Sequence, residues 1–309
     1  MASLASPSKL TLVRRYLRFR RKLGYRLRGG ELLLGFARLA DREAPRAPLT
    51  TALAVRWATS VKTARPATHA GRLGMVRGFA RYCASIDPRT QIPSSHLLGK
   101  MFQRVRPHLF TQKEIKLLMR RTRKLETFRS SLHPLTYETL IGLLASTGMR
   151  PGEALRLQLR DLDPERGTLR IASCKFSPQR VIALHPDTVR ALQRYEKQRR
   201  SLFPLGETFF VNARGLPLSM RRVDRVFQNI AEGMVSRGGR RSLRLMDFRH
   251  TFASMLLARW SRQKEPIAHH LLLLARYLGH RSFHSTWWYV SSNAGALWHA
   301  SERFRKSHS

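Results

Sequence analysis

The chain has 309 residues and carries 58 lysines and arginines against 19 acidic residues, a formal net charge of +39. Such an excess of positive charge opposes compaction and indicates a polyanionic partner, most simply nucleic acid. A genome rich in G and C would favour arginine over lysine, but it would not remove the acidic residues. The length favours two domains, and a hydrophobic content of 42% suffices for packed cores.

The cysteines and the apolar segments indicate the compartment. Cys83 and Cys174 are the only cysteines and lie far apart in sequence, which argues against a disulfide framework and favours a reducing cytosol. No apolar run approaches the length of a membrane span, and Arg14 and Arg15 interrupt any signal-peptide core. We therefore expect a cytoplasmic protein that makes no contact with a membrane.

Residues 1–88 predict a small helical domain that binds DNA. Residues 14–28 hold eight basic residues and no acid, with apolar residues at helical spacing between them, which indicates a helix with a cationic face. Apolar stretches at 32–39 and 73–83 bring the expected number of short helices to three or four. A solvated face is the usual role of a basic helix, but the scarcity of acids favours DNA contact. The predicted DNA-binding residues are Arg14, Arg15, Arg18, Arg21, Arg72 and Arg77.

Residues 89–109 predict a linker, because prolines interrupt them and hydrophobic periodicity is missing. In the second domain, 110–309, the sequence Thr111-Gln112-Lys113-Glu114 is a capping box that opens a helix. Gly148 ends the next helix, predicted over 135–146. Short strands are predicted at 168–172 and 180–184, and further helices at 186–199, 220–235, 247–260 and 267–278. The second domain is therefore mainly α with a small antiparallel sheet.

Two arginines occupy positions suited to a phosphate. Arg150 lies between the helix-ending Gly148 and Pro151, which starts the next helix, so its planar guanidinium projects from a junction. Arg249 lies in the first turn of an apolar helix, where a basic side chain opposes the helix dipole unless an anion binds there. Each arginine alone would more often be a surface or ion-pair residue.

Lys175 and His280 are candidate proton donors. Lys175 lies at the predicted hairpin turn, from which a lysine can reach a site and protonate a leaving 5′ oxygen. His280 follows Gly279 at a helix end, where an imidazole can donate to a phosphate oxygen. His280 and His284 are four residues apart, but no carboxylate or cysteine accompanies them, so we expect neither a metal site nor a cofactor.

Tyr289 is the candidate nucleophile. Trp287, Trp288 and Val290 surround it in sequence, so a core aromatic is the ordinary interpretation. A phenol with its usual pKa of about 10 stays neutral and needs a cationic pocket to become nucleophilic. Two arginines, a lysine and a histidine around one phosphate would provide that pocket and stabilise the developing charge without a metal.

These motifs, in this order, resemble the tyrosine recombinases of the phage-integrase family, weakly over residues 1–105 and strongly from Phe110 to Tyr289. Trp287-Trp288-Tyr289-Val290 is most similar to the subgroup encoded as adjacent recombinase trios in bacterial mobile elements. The segments that carry the resemblance are Thr147-Gly148-Met149-Arg150-Pro151-Gly152-Glu153, the hairpin segment around Lys175, Asp247-Phe248-Arg249-His250-Thr251, Leu278-Gly279-His280 and Thr286 to Tyr289.

The resemblance implies a helical core-binding (SAM-like) domain followed by a catalytic domain of the DNA breaking-rejoining fold. It implies that Arg150 and Arg249 clamp the scissile phosphate with Glu153 in support, and that Tyr289 forms a 3′-phosphotyrosine intermediate. It also implies a nucleoid-associated bacterial protein that acts on double-stranded DNA as a homo- or heterotetramer, in integration or transposition. One position departs from the family pattern: Met246 stands where the family has a histidine, and a thioether cannot donate a proton.

The sequence thus predicts a site-specific DNA recombinase whose catalytic residues are Arg150, Lys175, Arg249, His280 and Tyr289. The alternative is a DNA-binding, catalytically weak partner of active recombinases, which Met246 keeps open. An RNA-binding protein is a further alternative, although the sequence lacks an aromatic-rich RNA-recognition motif. A type IB topoisomerase would share the phosphate chemistry, but the length and the compact motifs argue against it.

Overall fold

The computed structural model describes residues 7–25, 29–45, 47–99, 106–127, 131–172, 179–236, 242–261, 267–280 and 286. The chain forms two compact units, residues 1–104 and 105–309. Within the described residues, no helix is both long enough and apolar enough to cross a membrane.

The described part of the first unit consists of four helices, in agreement with the predicted three or four. They are α1 (Lys9–Lys22), α2 (Gly30–Glu43), α3 (Thr51–Thr59) and α4 (Pro66–Ala84). Their apolar faces meet in one core, which includes the fully buried Val13, Phe36 and Phe79. Asp41 of α2 accepts hydrogen bonds from the backbone N–H groups of Lys9 and Leu10, at 2.7 and 2.9 Å, and so caps the start of α1.

The first residues of the predicted linker bind to the first unit. The N–H of Gln91 donates to the carbonyl of Leu49 at 2.8 Å, and the side chain of Gln91 accepts from the N–H of Thr51 at 2.8 Å. Arg77 of α4 donates from Nε to the carbonyl of Pro93 at 2.9 Å. Residues around Gln91 and Pro93 therefore add an ordered segment to the helical unit.

The second unit is mainly helical with a small sheet, as the sequence predicts. Over the described residues, its sheet has three antiparallel strands in the order β1-β2-β3, with Leu169 opposite Ile182. The strands are β1 (Leu162–Asp163), β2 (Thr168–Ile171) and β3 (Arg180–Ala183). The helices are α5 (Gln112–Thr122), α6 (Leu132–Thr147), α7 (Pro151–Ala154), α8 (Pro186–Leu202), α9 (Met220–Ile230), α10 (Met246–Trp260) and α11 (Ile267–Leu278), with one 3₁₀ turn at Leu159–Asp161.

Helix α6 is the centre of this unit. It is buried on most of its surface and packs against α5, α8 and α10. Phe248 of α10 is fully buried and stacks on Phe110 at a ring-centroid distance of 4.5 Å. The N–H of Phe110 also donates to the hydroxyl of Thr251 at 2.9 Å, so the chain enters the unit against α10.

Most of the predicted elements are confirmed, and the differences have local causes. The capping box at Thr111 and Glu114 forms with both of its reciprocal hydrogen bonds. Helix α9 ends at Ile230 instead of Val235, because Ala231 begins a turn that contains Gly233 at φ +75°. Strand β1 was not predicted, since two residues are too few to establish an alternating pattern. The predicted turn at Ser177-Pro178 lies outside the described residues.

The last turn of α6 requires a glycine at position 148. Its φ is +60°, and a Cβ there would lie 2.5 Å from Cδ1 of Phe252, whereas a Cβ at Gly142 in the same helix meets ordinary contact distances. We predict that Gly148→Ala lowers the free energy of unfolding by about 2 kcal/mol or more, because strain adds to overlap. Gly142→Ala is the matched control and should be neutral or stabilise by up to about 1 kcal/mol. Urea denaturation measures both, and equal effects would contradict the argument.

Candidate active site at the carboxyl end of one helix

Arg150 is placed by the junction between α6 and α7. Gly148 turns the chain at the end of α6, and Pro151 starts α7, as the sequence predicts. The Glu153 carboxylate accepts from the backbone N–H of Arg150 at 3.0 Å and from its Nη1 at 3.0 Å. The Arg150 side chain keeps 28% of its surface exposed. Its guanidinium is therefore oriented by Glu153 and still accessible to a ligand.

Glu153 is shared between two arginines. Its side chain is 1% exposed, and Arg180 at the start of β3 donates to Oε1 at 3.2 Å and to Oε2 at 2.8 Å. Burial by itself would raise the pKa of Glu153. The hydrogen bonds from Arg180 and from the backbone of Arg150, together with both charges, lower this pKa to about 2. Glu153 is consequently a carboxylate at any ordinary pH.

Arg249 is buried and bonds to the ends of two helices. Its residue exposure is 2%, its Nη1 donates to the carbonyl of Gly148 at 3.1 Å, and its Nη2 donates to the carbonyl of Leu278 at 2.6 Å. From the sequence, a phosphate at the start of α10 is expected to compensate this charge. In the structure, the negative carbonyl ends of α6 and α11 compensate it as well. A guanidinium has five N–H donors, so carbonyl bonds and phosphate binding are compatible.

The three arginines converge on the carboxyl end of α11. Arg180 donates from Nε to the carbonyl of Tyr277 at 2.7 Å, and Arg249 bonds to the carbonyl of Leu278. Arg150 donates from Nη2 to the carbonyl of Gly279 at 3.2 Å. These carbonyls lie directly before His280, so the arginines fix the backbone from which its side chain projects.

His280 is half-buried beside these charges. Its Nδ1 shares a hydrogen bond of 2.7 Å with the hydroxyl of Thr286, which fixes the orientation of the ring. Burial lowers the pKa of His280, and the positive charges of Arg249, Arg150, Arg180 and His250 lower it further, to about 3. The imidazole is therefore neutral at neutral pH.

The structure brings Arg150, Glu153, Arg249 and His280 together. Met246, at the family histidine position, is the half-buried first residue of α10, one turn before Arg249. Lys175 and Tyr289 lie outside the described residues, so their predicted roles stay predictions.

Arg180 is the residue of the cluster that the sequence analysis missed. It was assigned only to a strand, because an arginine beginning a strand carries no signal of its own among so many arginines. Its partner Glu153 is 27 residues away in sequence, and the pairing exists only in the folded chain.

The predicted DNA-binding arginines of the first unit fall into two groups. Arg14, Arg15, Arg18 and Arg21 are exposed on α1. Arg72 stacks on Trp57, with its guanidinium 4.1 Å from the ring centroid, and donates to the Trp57 carbonyl at 2.7 Å. Arg77 donates to the carbonyls of Pro93 and Ser94, both at 2.9 Å. Arg72 and Arg77 thus hold their own domain together, while contact of either group with DNA stays a prediction.

Comparison with known proteins identifies the family. Residues 108–295, more than half of the chain, match the phage integrase family. A Sinorhizobium fredii protein provisionally named integrase/recombinase y4rB is 36% identical over 303 residues, which cover 95% of this chain and 96% of that relative. The chain therefore belongs to the phage integrase family.

Solved structures of low sequence identity share the fold. A XerH site-specific recombinase bound to palindromic difH substrate aligns with a TM-score of 0.69 at 18% identity, over 98% of each chain. A lambda integrase, solved as a tetramer bound to a Holliday junction, aligns with a TM-score of 0.63 at 18% identity, over 91% of this chain and 79% of the other. The mainly helical architecture with its small sheet is thus the fold of these recombinases.

The shifted pKa of His280 predicts how stability depends on pH. An unfolded histidine titrates at about 6.5, whereas His280 in the fold titrates at about 3. The unfolded chain therefore binds the proton first, so the contribution of His280 is fully present above about pH 6.5 and is lost as the pH falls towards 3. Glu153 acts in the same direction, but only below its unfolded pKa of about 4.5.

We predict that His280→Gln makes the free energy of unfolding less sensitive to pH between about 7 and 4.5 than it is in the wild type. Urea denaturation across this range measures the effect. His269→Gln, at an exposed position of α11, which ends two residues before His280, is the matched control and should keep the wild-type pH dependence. Parallel curves for His280→Gln and wild type would contradict the low pKa.

Proposed function

We propose that this protein is a site-specific DNA recombinase or integrase that cuts and rejoins DNA through a covalent phosphotyrosine. The observation that carries the proposal is the convergence of Arg150, Arg249 and His280 at the carboxyl end of α11. Family membership supports it, because the motifs that meet there in space are the motifs by which the sequence resembles tyrosine recombinases.

The cluster has the charge that a phosphodiester requires. Among the described residues of the cluster, Arg150 and Arg180 share the Glu153 carboxylate, and Arg249 and a neutral His280 lie at the same helix end, so positive charge is in excess. A phosphate placed against the exposed side of Arg150 would meet donors that are already oriented by Glu153 and the α11 carbonyls. Such preorganised donors stabilise the negative charge that grows in a phosphoryl transition state. A bound phosphate would raise the pKa of His280 and favour its protonated form, because the negative charge of the phosphate offsets the neighbouring positive charges.

In the proposed reaction, the phenolic oxygen of Tyr289 gives its proton to the neutral imidazole of His280 and attacks the scissile phosphorus. The bond from phosphorus to the 5′ oxygen breaks, and Lys175 protonates the leaving 5′ oxygen, which becomes a hydroxyl. The product is a 3′-phosphotyrosine that conserves the energy of the phosphodiester, so that a 5′ hydroxyl of another strand restores the DNA without ATP. These roles rest on the motif positions of Lys175 and Tyr289 in the sequence.

Double-stranded DNA is the proposed partner, bound by a protein of net charge +39. The similar XerH and lambda integrase structures contain DNA, and the lambda protein is a tetramer on its junction. We extend this to a homo- or heterotetramer of recombinase protomers that acts in the bacterial cytoplasm, for integration or transposition of a mobile element.

Covalent capture tests the proposal. We incubate the protein with nicked duplexes of randomised core sequence, from which the cleaved fragment diffuses away, and recover DNA that stays linked to protein in denaturant. The wild type is expected to form an adduct that protease removes. Tyr289→Phe should bind the captured DNA normally and form no adduct, because only the phenolic oxygen is lost. An adduct of undiminished yield with Tyr289→Phe would exclude Tyr289 as the nucleophile.

Met246 favours a second candidate function, a DNA-binding partner that lacks strong catalysis of its own. The half-buried thioether lies one turn before Arg249 and provides neither a proton nor a charge. A wild-type protein that forms no adduct alone, but binds and becomes linked to DNA when an active recombinase is added to the same incubation, would establish this function.

We predict that Met246→His leaves DNA affinity within about twofold and keeps or raises the rate of adduct formation, because it adds a proton donor near the phosphate. Met246→Gln, which has similar volume and no titratable proton, is the matched control and should not raise the rate. A large loss of activity in a stably folded Met246→His protein would show that the site is adapted to methionine.

A further inference from the structure

Arg180 is the most enclosed partner of the Arg150–Glu153 pair. Its side chain is 8% exposed, against 28% for Arg150, so Arg150 faces the ligand side and Arg180 lies behind it. Arg180 comes from strand β3, whereas the pair comes from α7, so the contact joins two elements of the fold. An enclosed arginine in this position is better placed to orient neighbouring residues than to contact a ligand.

Glu153 receives four hydrogen bonds, and Arg180 gives two of them. Oε1 accepts from Nη1 of Arg150 at 3.0 Å and from Nη1 of Arg180 at 3.2 Å. Oε2 accepts from the backbone N–H of Arg150 at 3.0 Å and from Nη2 of Arg180 at 2.8 Å. A carboxylate offers about four lone-pair directions, so this one is saturated. Without Arg180, the buried Glu153 carboxylate would lose two of its four hydrogen bonds.

Because Glu153 is shared between Arg150 and Arg180, the site has a different net charge than it would have with Arg150 alone. A buried carboxylate paired with Arg150 alone would cancel the charge of that arginine. With Arg180 present, two arginines share the Glu153 carboxylate, so one of their two positive charges is not cancelled, and Arg249 adds its own charge at the same helix end. Charge that is not cancelled acts strongly here, because the surroundings are shielded from water.

Arg180 also holds the helix end that leads to His280. Its Nε donates to the carbonyl of Tyr277 at 2.7 Å, three residues before His280. Because one planar guanidinium makes this bond and both Glu153 bonds, it fixes the distance between Glu153 and α11. A lysine at this position could keep the charge but not the three-way geometry.

We propose that Arg180 is a positioning residue: it neutralises Glu153 so that Arg150 keeps its positive charge for the phosphate, and it fixes the end of α11 that carries His280. The inference rests on the proposed function for its substrate, the scissile phosphate of DNA. It assigns to Arg180 a role that no motif of the sequence indicates.

The test compares four variants. Arg180→Met removes the charge and the bonds to Glu153 and Tyr277, Arg180→Lys keeps the charge, Glu153→Gln removes the carboxylate, and the Arg180→Met/Glu153→Gln double variant removes both. Arg170→Met, on the neighbouring strand β2 with a side chain 54% exposed, is the matched control for loss of one arginine. Thermal unfolding shows which variants fold.

The first readout is the single-turnover rate of adduct formation on saturating captured DNA. Arg180→Met should be slower by about tenfold to a hundredfold, as expected for loss of charge-assisted bonds, and Arg170→Met should be unchanged. The double variant should be faster than Arg180→Met by about tenfold, because removing the stranded carboxylate returns the charge to Arg150. A purely structural role predicts instead that the double variant is at least as slow as Arg180→Met, and that result would overturn the proposal.

The second readout needs no reaction. Inorganic phosphate is titrated while the ring-proton resonance of His280, identified by its loss in His280→Gln, is followed by NMR. Arg180→Met should weaken the phosphate response about tenfold or more, and the double variant should restore it. If Arg180→Met does not fold, Arg180→Lys provides the test. We expect it to bind phosphate within about threefold of the wild-type affinity and to cleave more slowly. A tenfold loss of phosphate affinity would contradict charge compensation. A wild type that binds phosphate in this pattern but forms no adduct would refute the proposed function and not this inference.

Discussion

The geometry of the site depends on one interaction: the carboxyl end of α11 accepts hydrogen bonds from three arginines that come from three other parts of the unit. Arg150 precedes α7, Arg180 begins β3 and Arg249 lies on α10, and their donors meet the carbonyls of residues 277–279. Guanidinium groups repel one another, so their gathering requires negative partners. The carbonyl end of a helix and one buried carboxylate provide them.

The residues that position the site also hold the fold of the unit together. Gly148 contributes the carbonyl that binds Arg249, and its left-handed conformation also turns the chain towards Arg150. The same α10 that carries Arg249 presents Phe248 and Thr251 to the start of the unit at Phe110. Core packing thereby orients the groups that we propose to bind a phosphate, which is the condition for effective electrostatic stabilisation.

Sequence patterns predicted what is local and missed what is brought together only by folding. The capping box at Thr111, the glycine end of α6 and the strands β2 and β3 follow from short-range chemistry, and the structure confirms them. The meeting of Arg150, Arg249 and His280 was predicted only through their order in motifs. Arg180 was not predicted, because its contacts with Glu153 in α7 and with Tyr277 at the end of α11 correspond to no spacing in the sequence.

The low proton affinity of His280 has a consequence for binding. Burial and the neighbouring positive charges keep His280 unprotonated at neutral pH, whereas an anionic phosphate placed beside it would make protonation favourable. Binding and proton uptake are then linked, so each strengthens the other. Acid would lower the stability of the free protein while it raised the affinity for phosphate. At neutral pH, His280 would be protonated only when a phosphate is bound beside it.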